Sequence, residues 1–164
     1  MSDLAVMAAP ANTNFRYVDE FAVADDAVAV LVVDDDLVDR MLIRRSFRAL
    51  GIGNPIVEAH DGIAALELLR DRVGCAAPRW PVIVLLDLHM PRMDGFEFLD
   101  EIRADRQLSS LLVFVMTSGV EDERRLARRG LNIAGYVAKD APVQGILSAI
   151  SAATQARPLG VLPN

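Results

Sequence analysis

The sequence has little of what several classes of protein depend on. It contains one cysteine and two histidines, which excludes an internal disulfide, disfavours a zinc site and makes a reducing cytoplasm the expected location. Its longest apolar runs fall well short of the roughly 18 residues that a membrane-spanning helix needs. The first eleven residues carry no lysine or arginine, so we expect no secretory signal.

An excess of positive charge is also missing. The net charge is −6 and the pI is about 4.9, which argues against binding nucleic acid through a broad basic surface. Residues 1–27 hold five acidic residues against one arginine. We interpret them as an acidic N-terminal extension, and their aromatic residues are compatible with a strand, a short helix, an arm or a frayed end. Among the 17 basic residues the only lysine is Lys139.

Between residues 28 and 155, apolar runs alternate with amphipathic segments, which favours one α/β domain followed by a short tail at 156–164. Apolar, often β-branched runs predict strands at Ala27–Val33, Ile56–Ala59, Val82–Leu86, Leu111–Met116 and Ala134–Ala138. Helices are predicted from Asp36 to Leu50, after Asp61, at Gly95–Ala104, at Glu121–Arg129 and around Val143, Ile146, Leu147 and Ile150. Five strand-helix pairs indicate a parallel sheet covered by helices on both faces.

The first predicted helix has an apolar arc and a basic face. The arc, which we expect to pack on the sheet, contains Val38, Leu42, Ile43, Phe47, Ala49 and Leu50. The opposite face contains Arg40, Arg44, Arg45 and Arg48, with Leu37 and Met41 among them. A solvated charged face is the ordinary interpretation of such a pattern.

Chemically distinctive residues stand where the predicted strands end. Asp34 and Asp35 follow the first strand, Asp87 the third, Thr117 the fourth and Lys139 the fifth. Because ligands bind outside the carboxyl ends of parallel strands, we expect these side chains to share one crevice. Three converging carboxylates repel one another and favour a cation, and hard oxygen ligands favour Mg²⁺. A hydroxyl and an ammonium beside them suit a phosphoryl group, with Asp87 as its nucleophile.

At these positions the sequence resembles the receiver domain of bacterial two-component response regulators. The resemblance covers residues 28 to about 152 and includes the order and spacing of all five site residues. The matching segments are Val32-Val33-Asp34-Asp35-Asp36, Leu85-Leu86-Asp87-Leu88-His89-Met90-Pro91-Arg92-Met93-Asp94-Gly95, Met116-Thr117-Ser118 and Gly135-Tyr136-Val137-Ala138-Lys139.

The resemblance implies a flavodoxin-like, doubly wound five-stranded parallel sheet of order 2-1-3-4-5, a (βα)5 fold. It makes Asp87 the phosphoacceptor, and it assigns Mg²⁺ to Asp35, Asp87 and the backbone carbonyl of His89, with Asp34 acting through water. Thr117 and Lys139 would contact the phosphoryl group, and Thr117 would switch together with Tyr136. The chain would then be a signalling phosphoprotein that carries an aspartyl phosphate, not an enzyme beyond its own phosphorylation and dephosphorylation.

The resemblance also implies partners. The expected donor is a sensor histidine kinase, with a bacteriophytochrome as the narrower candidate, or a histidine phosphotransfer protein. In this family the first helix meets that partner, so the residues predicted to dock are Leu37, Arg40, Met41 and Arg44. A homodimer would form through the face of helix 4, strand 5 and helix 5, or through the N-terminal arm. No contact with DNA or membrane is expected.

One departure from the family pattern and two other functions stay open. Many relatives have proline directly after the lysine, with a cis peptide, whereas here Lys139 is followed by Asp140. A non-proline cis bond costs about 2.5 to 4 kcal/mol, so this peptide is either strained or trans. The alternative functions are a pseudo-receiver scaffold that takes no phosphate and a Mg²⁺-dependent phosphohydrolase with Asp87 as nucleophile.

Overall fold

Five parallel strands form one sheet in the computed structural model, which describes residues 29–73, 82–117, 119–139 and 147. The strands are β1 (Ala29–Val33), β2 (Ile56–Ala59), β3 (Val82–Asp87), β4 (Leu112–Thr117) and β5 (Gly135–Ala138). The helices are α1 (Leu37–Ala49), α2 (Gly62–Val73), α3 (Gly95–Ala104) and α4 (Val120–Arg129). The strand order β2-β1-β3-β4-β5 confirms the predicted α/β fold. The N-terminal extension, the predicted final helix, the tail and the Lys139–Asp140 peptide lie outside the described residues.

The sheet separates two apolar layers because successive strand residues point to opposite faces. On one face, Leu31, Val84 and Val115 belong to the larger cluster, which also contains residues of α2, α3 and α4. On the other face, Val30, Leu85 and Phe114 belong to a smaller cluster that includes residues of α1. The central strands β1, β3 and β4 are therefore largely buried on both faces, as their continuous apolar sequences predict. Among the described residues, no helix has the length and apolar character needed to cross a membrane.

The predicted inner arc of α1 is wrong in part. Ile43 and Phe47 are buried, but Val38 is 60% and Leu42 53% exposed. Ala49 and Leu50 are exposed as well.

The physical reason lies in two arginines. The side chain of Arg40 is 12% and that of Arg44 23% exposed, and both pair with Glu58 of β2 at 3.3 Å. Positions 40, 43, 44 and 47 share one helical face, so the inward face of α1 is half apolar and half ion-paired.

The helix starts that border the carboxyl edge of the sheet are fixed by aspartates. The side chain of Asp36 accepts a hydrogen bond from the Val38 N–H and begins α1. The side chain of Asp61 accepts one from the Ala64 N–H at 2.8 Å and so caps α2, the helix predicted to follow this residue. Asp94 begins α3 with a capping box that Glu97 completes. These caps hold the connecting loops at the edge where the strands end.

Candidate functional site

Three carboxylates meet at the carboxyl edge of the sheet. Asp34 and Asp35 directly follow β1, Asp87 is the last residue of β3, and β1 and β3 are hydrogen-bonded neighbours. One carboxylate oxygen from each residue lies within 4.8 Å of the others. Asp34 and Asp87 are buried, whereas Asp35 is exposed. The predicted convergence of these three side chains is therefore present, with one of them open to solvent.

Asp34 is the most deeply enclosed member of this acidic triad. Burial raises the pKa of Asp34, while a hydrogen bond from the Asp36 N–H and the nearby charge of Lys139 oppose that rise. The Asp36 N–H lies 2.8 Å from Asp34 Oδ1. The guanidinium of Arg40 also donates a hydrogen bond to the backbone carbonyl of Asp34. The loop after β1 is thus held by hydrogen bonds to both its main chain and its side chain.

Lys139 brings the counter-charge. It directly follows β5, and its Nζ lies 3.0 Å from Asp87 Oδ2, 3.2 Å from Asp34 Oδ2 and 3.4 Å from Asp39 Oδ2. Burial disfavours the ammonium, but the hydrogen bond to Asp87 and the charges of Asp34 and Asp87 outweigh it, so the pKa of Lys139 is raised. The lysine is therefore held charged beside the predicted nucleophile.

The turn between β3 and α3 packs tightly against Asp87. The Gly95 N–H donates to the Leu88 carbonyl at 3.0 Å, and the His89 N–H donates to Asp87 Oδ1 at 3.3 Å. Arg92 adopts a left-handed backbone conformation, with φ of 69°, and its guanidinium contacts the buried carboxylate of Asp61. The backbone of His89, predicted as a metal ligand, therefore belongs to a well-anchored turn.

Two contacts connect this edge to α4. The imidazole Nε2 of His89 lies 3.1 Å from an oxygen of Asp122, although the His89 side chain is 64% exposed. The hydroxyl of Tyr136 donates to the Glu123 backbone carbonyl at 3.5 Å. Thr117 ends β4 and is in register with Ala138 of β5, so its main chain reaches the same edge. The residues predicted to switch therefore lie on strands that border α4.

The residues predicted to dock a partner fall into two groups. Leu37 is 57% and Met41 50% exposed, so both present apolar surface. Arg40 and Arg44 instead turn towards the sheet edge and pair with Glu58. Sequence reasoning missed the roles of Glu58, Asp39 and Asp122, whose partners are distant in the chain. The sequence does contain a signal that Asp39 contributes to the site, because it is the fourth acidic residue within residues 34–39.

Two known proteins are similar to this chain in sequence. Probable methanogenesis regulatory protein FilR2 of Methanothrix harundinacea is 38% identical over 100 residues, or 61% of this chain and 64% of FilR2. The chain thus spans slightly less than two thirds of that protein. Response regulator Rcp1 of Synechocystis is 28% identical over 110 residues, or 67% of this chain and 75% of Rcp1.

A solved structure is also similar to the fold of this chain. The solved structure of bacteriophytochrome response regulator RtBRR matches with a TM-score of 0.69 and 26% identity over 84% of this chain and 82% of that one. The family model described as the response regulator receiver domain matches residues 30–151, which include the acidic triad and Lys139. The chain therefore belongs to the family of response regulator receiver domains.

Proposed function

We propose that the chain is a receiver that accepts a phosphoryl group on Asp87 from a sensor histidine kinase and passes the signal on by protein contact. The proposed receiver domain spans residues 28–155, with residues 1–27 as an extension and 156–164 as a tail. The observation that carries the proposal is the ammonium of Lys139 at 3.0 Å from Asp87 Oδ2. It stands beside two further carboxylates that suit a divalent cation.

The reaction is a transfer of one phosphoryl group. A carboxylate oxygen of Asp87 bonds to phosphorus while the bond between phosphorus and the donor breaks, which leaves an acyl phosphate on the chain. The donor atom is a nitrogen of the kinase's phosphohistidine, or an oxygen of acetate when acetyl phosphate is the donor. Lys139 stays close enough to neutralise charge on the incoming group. In our proposal Thr117 contacts the transferred group and Tyr136 follows it, so that α4 changes its position relative to β5.

The acidic triad fits Mg²⁺ by its chemistry. It offers carboxylate oxygens without histidine or cysteine, and exposed Asp35 leaves a path for a hydrated ion. Asp35, Asp87 and the His89 carbonyl would hold the ion, with Asp34 acting through water. A bound Mg²⁺ would neutralise phosphoryl oxygens during transfer.

The proposed donor is a bacteriophytochrome-type histidine kinase or a histidine phosphotransfer protein, in line with the similarity to RtBRR. The exposed apolar side chains of Leu37 and Met41 support α1 as the docking surface. Replacing Met41 by serine is then expected to slow transfer from the kinase while leaving reaction with acetyl phosphate unchanged. The proposal includes a homodimer, through the face of α4, β5 and the predicted final helix or through the N-terminal extension.

The decisive experiment is intact mass spectrometry after incubation with acetyl phosphate, with Mg²⁺ or with EDTA. We expect one phosphoryl group per wild-type chain with Mg²⁺, none with EDTA, and none on the Asp87→Asn variant. Asp71→Asn, which removes an exposed carboxylate on α2, is the matched control and should react like wild type. No adduct on wild type would favour a pseudo-receiver scaffold, and rapid release of many phosphates per chain would favour a phosphohydrolase.

A further inference from the structure

Asp39 belongs to the lysine's surroundings but not to the acidic triad. Its Oδ2 lies 3.4 Å from Lys139 Nζ, whereas the triad consists of Asp34, Asp35 and Asp87. The Asp39 side chain is 38% exposed, while those of Asp34 and Asp87 are 0% and 3% exposed. The ammonium of Lys139 therefore pairs with two buried carboxylates and one that is partly exposed.

The start of α1 explains why Asp39 is available. As the third residue of α1, it occupies the position whose acidic side chain would ordinarily accept the N–H of the capping residue. Here that N–H, on Asp36, donates to Asp34 Oδ1 at 2.8 Å instead. The capping is done by the Asp36 side chain, which accepts from the Val38 N–H at 2.7 Å. The Asp39 carboxylate therefore does not take part in capping and instead pairs with Lys139, 100 residues later in the chain.

A lysine ammonium has three N–H donors, and among the described residues three carboxylates lie around that of Lys139. A phosphoryl group on Asp87 must take a share of those donors if Lys139 is to stabilise it. Of the three carboxylates, Asp39 is the one outside the triad, and its contact is the longest. We propose that Asp39 is a positioning residue that competes with the phosphoryl group for Lys139 and thereby slows phosphorylation of Asp87. This inference rests on the proposed function.

The test compares the rate of phosphorylation by acetyl phosphate, followed by intact mass, for wild type and Asp39→Asn. We expect the variant to react about two- to five-fold faster at saturating donor, the range that a partly exposed ion pair allows. Asp39→Glu keeps the charge and should stay near the wild-type rate. Because Lys139 acts after the donor has bound, the substitution should raise the maximal rate of phosphorylation. The acetyl phosphate concentration that gives half the maximal rate should stay the same.

Asp36→Ser is the matched control, since it removes a carboxylate at the start of the same helix but retains a capping side chain. An equal acceleration in this variant would assign the effect to general charge and overturn the proposal. An unchanged or slower Asp39→Asn, with an unaltered melting temperature, would overturn it too. A wild type that takes no phosphoryl group contradicts the proposed function itself, so the two failures are distinguishable.

Discussion

A Cβ atom added to Gly95 would lie 2.4 Å from the backbone carbonyl oxygen of Asp87 and 2.7 Å from the Leu88 Cα. Both neighbours are main-chain atoms, which cannot rotate away as a side chain can. The first residue of α3 therefore sets how closely the turn approaches the proposed phosphoacceptor. A glycine is required here because of this close approach. Its backbone conformation does not require one, because its φ is not in the left-handed region.

We expect Gly95→Ala to destabilise the chain by about 1–3 kcal/mol, as overpacking does, and to slow phosphorylation by shifting Asp87. Gly62→Ala is the informative comparison, because its Cβ would meet the flexible side chain of Met93 at 2.6 Å. That variant should lose less than about 1 kcal/mol. Gly53→Ala, with no atom within 4 Å, is the control, and urea unfolding measures all three. Equal losses at Gly95 and Gly62 would contradict this account.

The Arg40 guanidinium joins the loop after β1 to Glu58 on β2. Replacing Arg40 by methionine leaves a largely enclosed carboxylate without this partner, so we expect a loss of about 1.5–3 kcal/mol in unfolding free energy. Met41→Ser, on the exposed side of the same helix, should cost much less. Urea denaturation of both variants tests the difference. If Arg40→Met were as stable as wild type, the arginine would be free for docking, as the family resemblance implies.

Tyr136 is expected to lose its proton above pH 10. Burial, and secondarily the charge of Glu123, raise the pKa of Tyr136 above its usual value of 10.0. The folded chain then holds this proton more tightly than the unfolded chain. The contribution of Tyr136 to the unfolding free energy therefore falls as the pH rises from 10.0 through the folded-state pKa.

Phenolate absorbance measures this titration directly in a Tyr17→Phe background, because the chain has two tyrosines. Glu123→Gln should lower the midpoint only in part, because burial is the larger cause of the shift. A midpoint at or below 10.0 would show that the tyrosine ring is more exposed in solution than in this structure.

Magnesium should stabilise the folded chain. A divalent ion relieves the repulsion within the acidic triad and binds the folded state selectively. At a free Mg²⁺ concentration of a hundred times its Kd, this binding adds about 2.7 kcal/mol to the unfolding free energy. Thermal unfolding with increasing Mg²⁺ should therefore show a rising melting temperature that EDTA reverses. Asp35→Asn should remove most of the rise, and Asp71→Asn should retain it. An equal rise in Asp35→Asn would place the ion elsewhere.

The sequence predicts much of this site because the ends of the strands can be identified from the apolar runs. Continuous apolar runs that stop at Asp34, Asp87 and Lys139 identify buried parallel strands, and parallel strands bring their carboxyl ends to one edge. The order of the strands followed from the family resemblance. Within the described residues, element boundaries differ from the structure by one residue, as with β4, which begins at Leu112 and not Leu111.

What the sequence does not reveal is which charged side chains meet. A hydrophobicity pattern treats Arg40 and Arg44 as solvated, and it contains no information that Glu58 of another strand neutralises them. The same holds for Asp39 with Lys139 and for His89 with Asp122. Each of these pairs depends on side-chain directions that exist only after the sheet has assembled.

The distance along the chain between the members of the site has a consequence for folding. Asp34 and Lys139 are 105 residues apart in sequence, and among the described strands β5 pairs only with β4. Contacts of such long range close late, because the entropy of ordering the intervening chain must be overcome first. A copy that has collapsed without seating β5 has carboxylates but no ammonium between them. On the proposed function, such a copy could not stabilise a phosphoryl group on Asp87, so phosphorylation would report that β5 has joined the sheet.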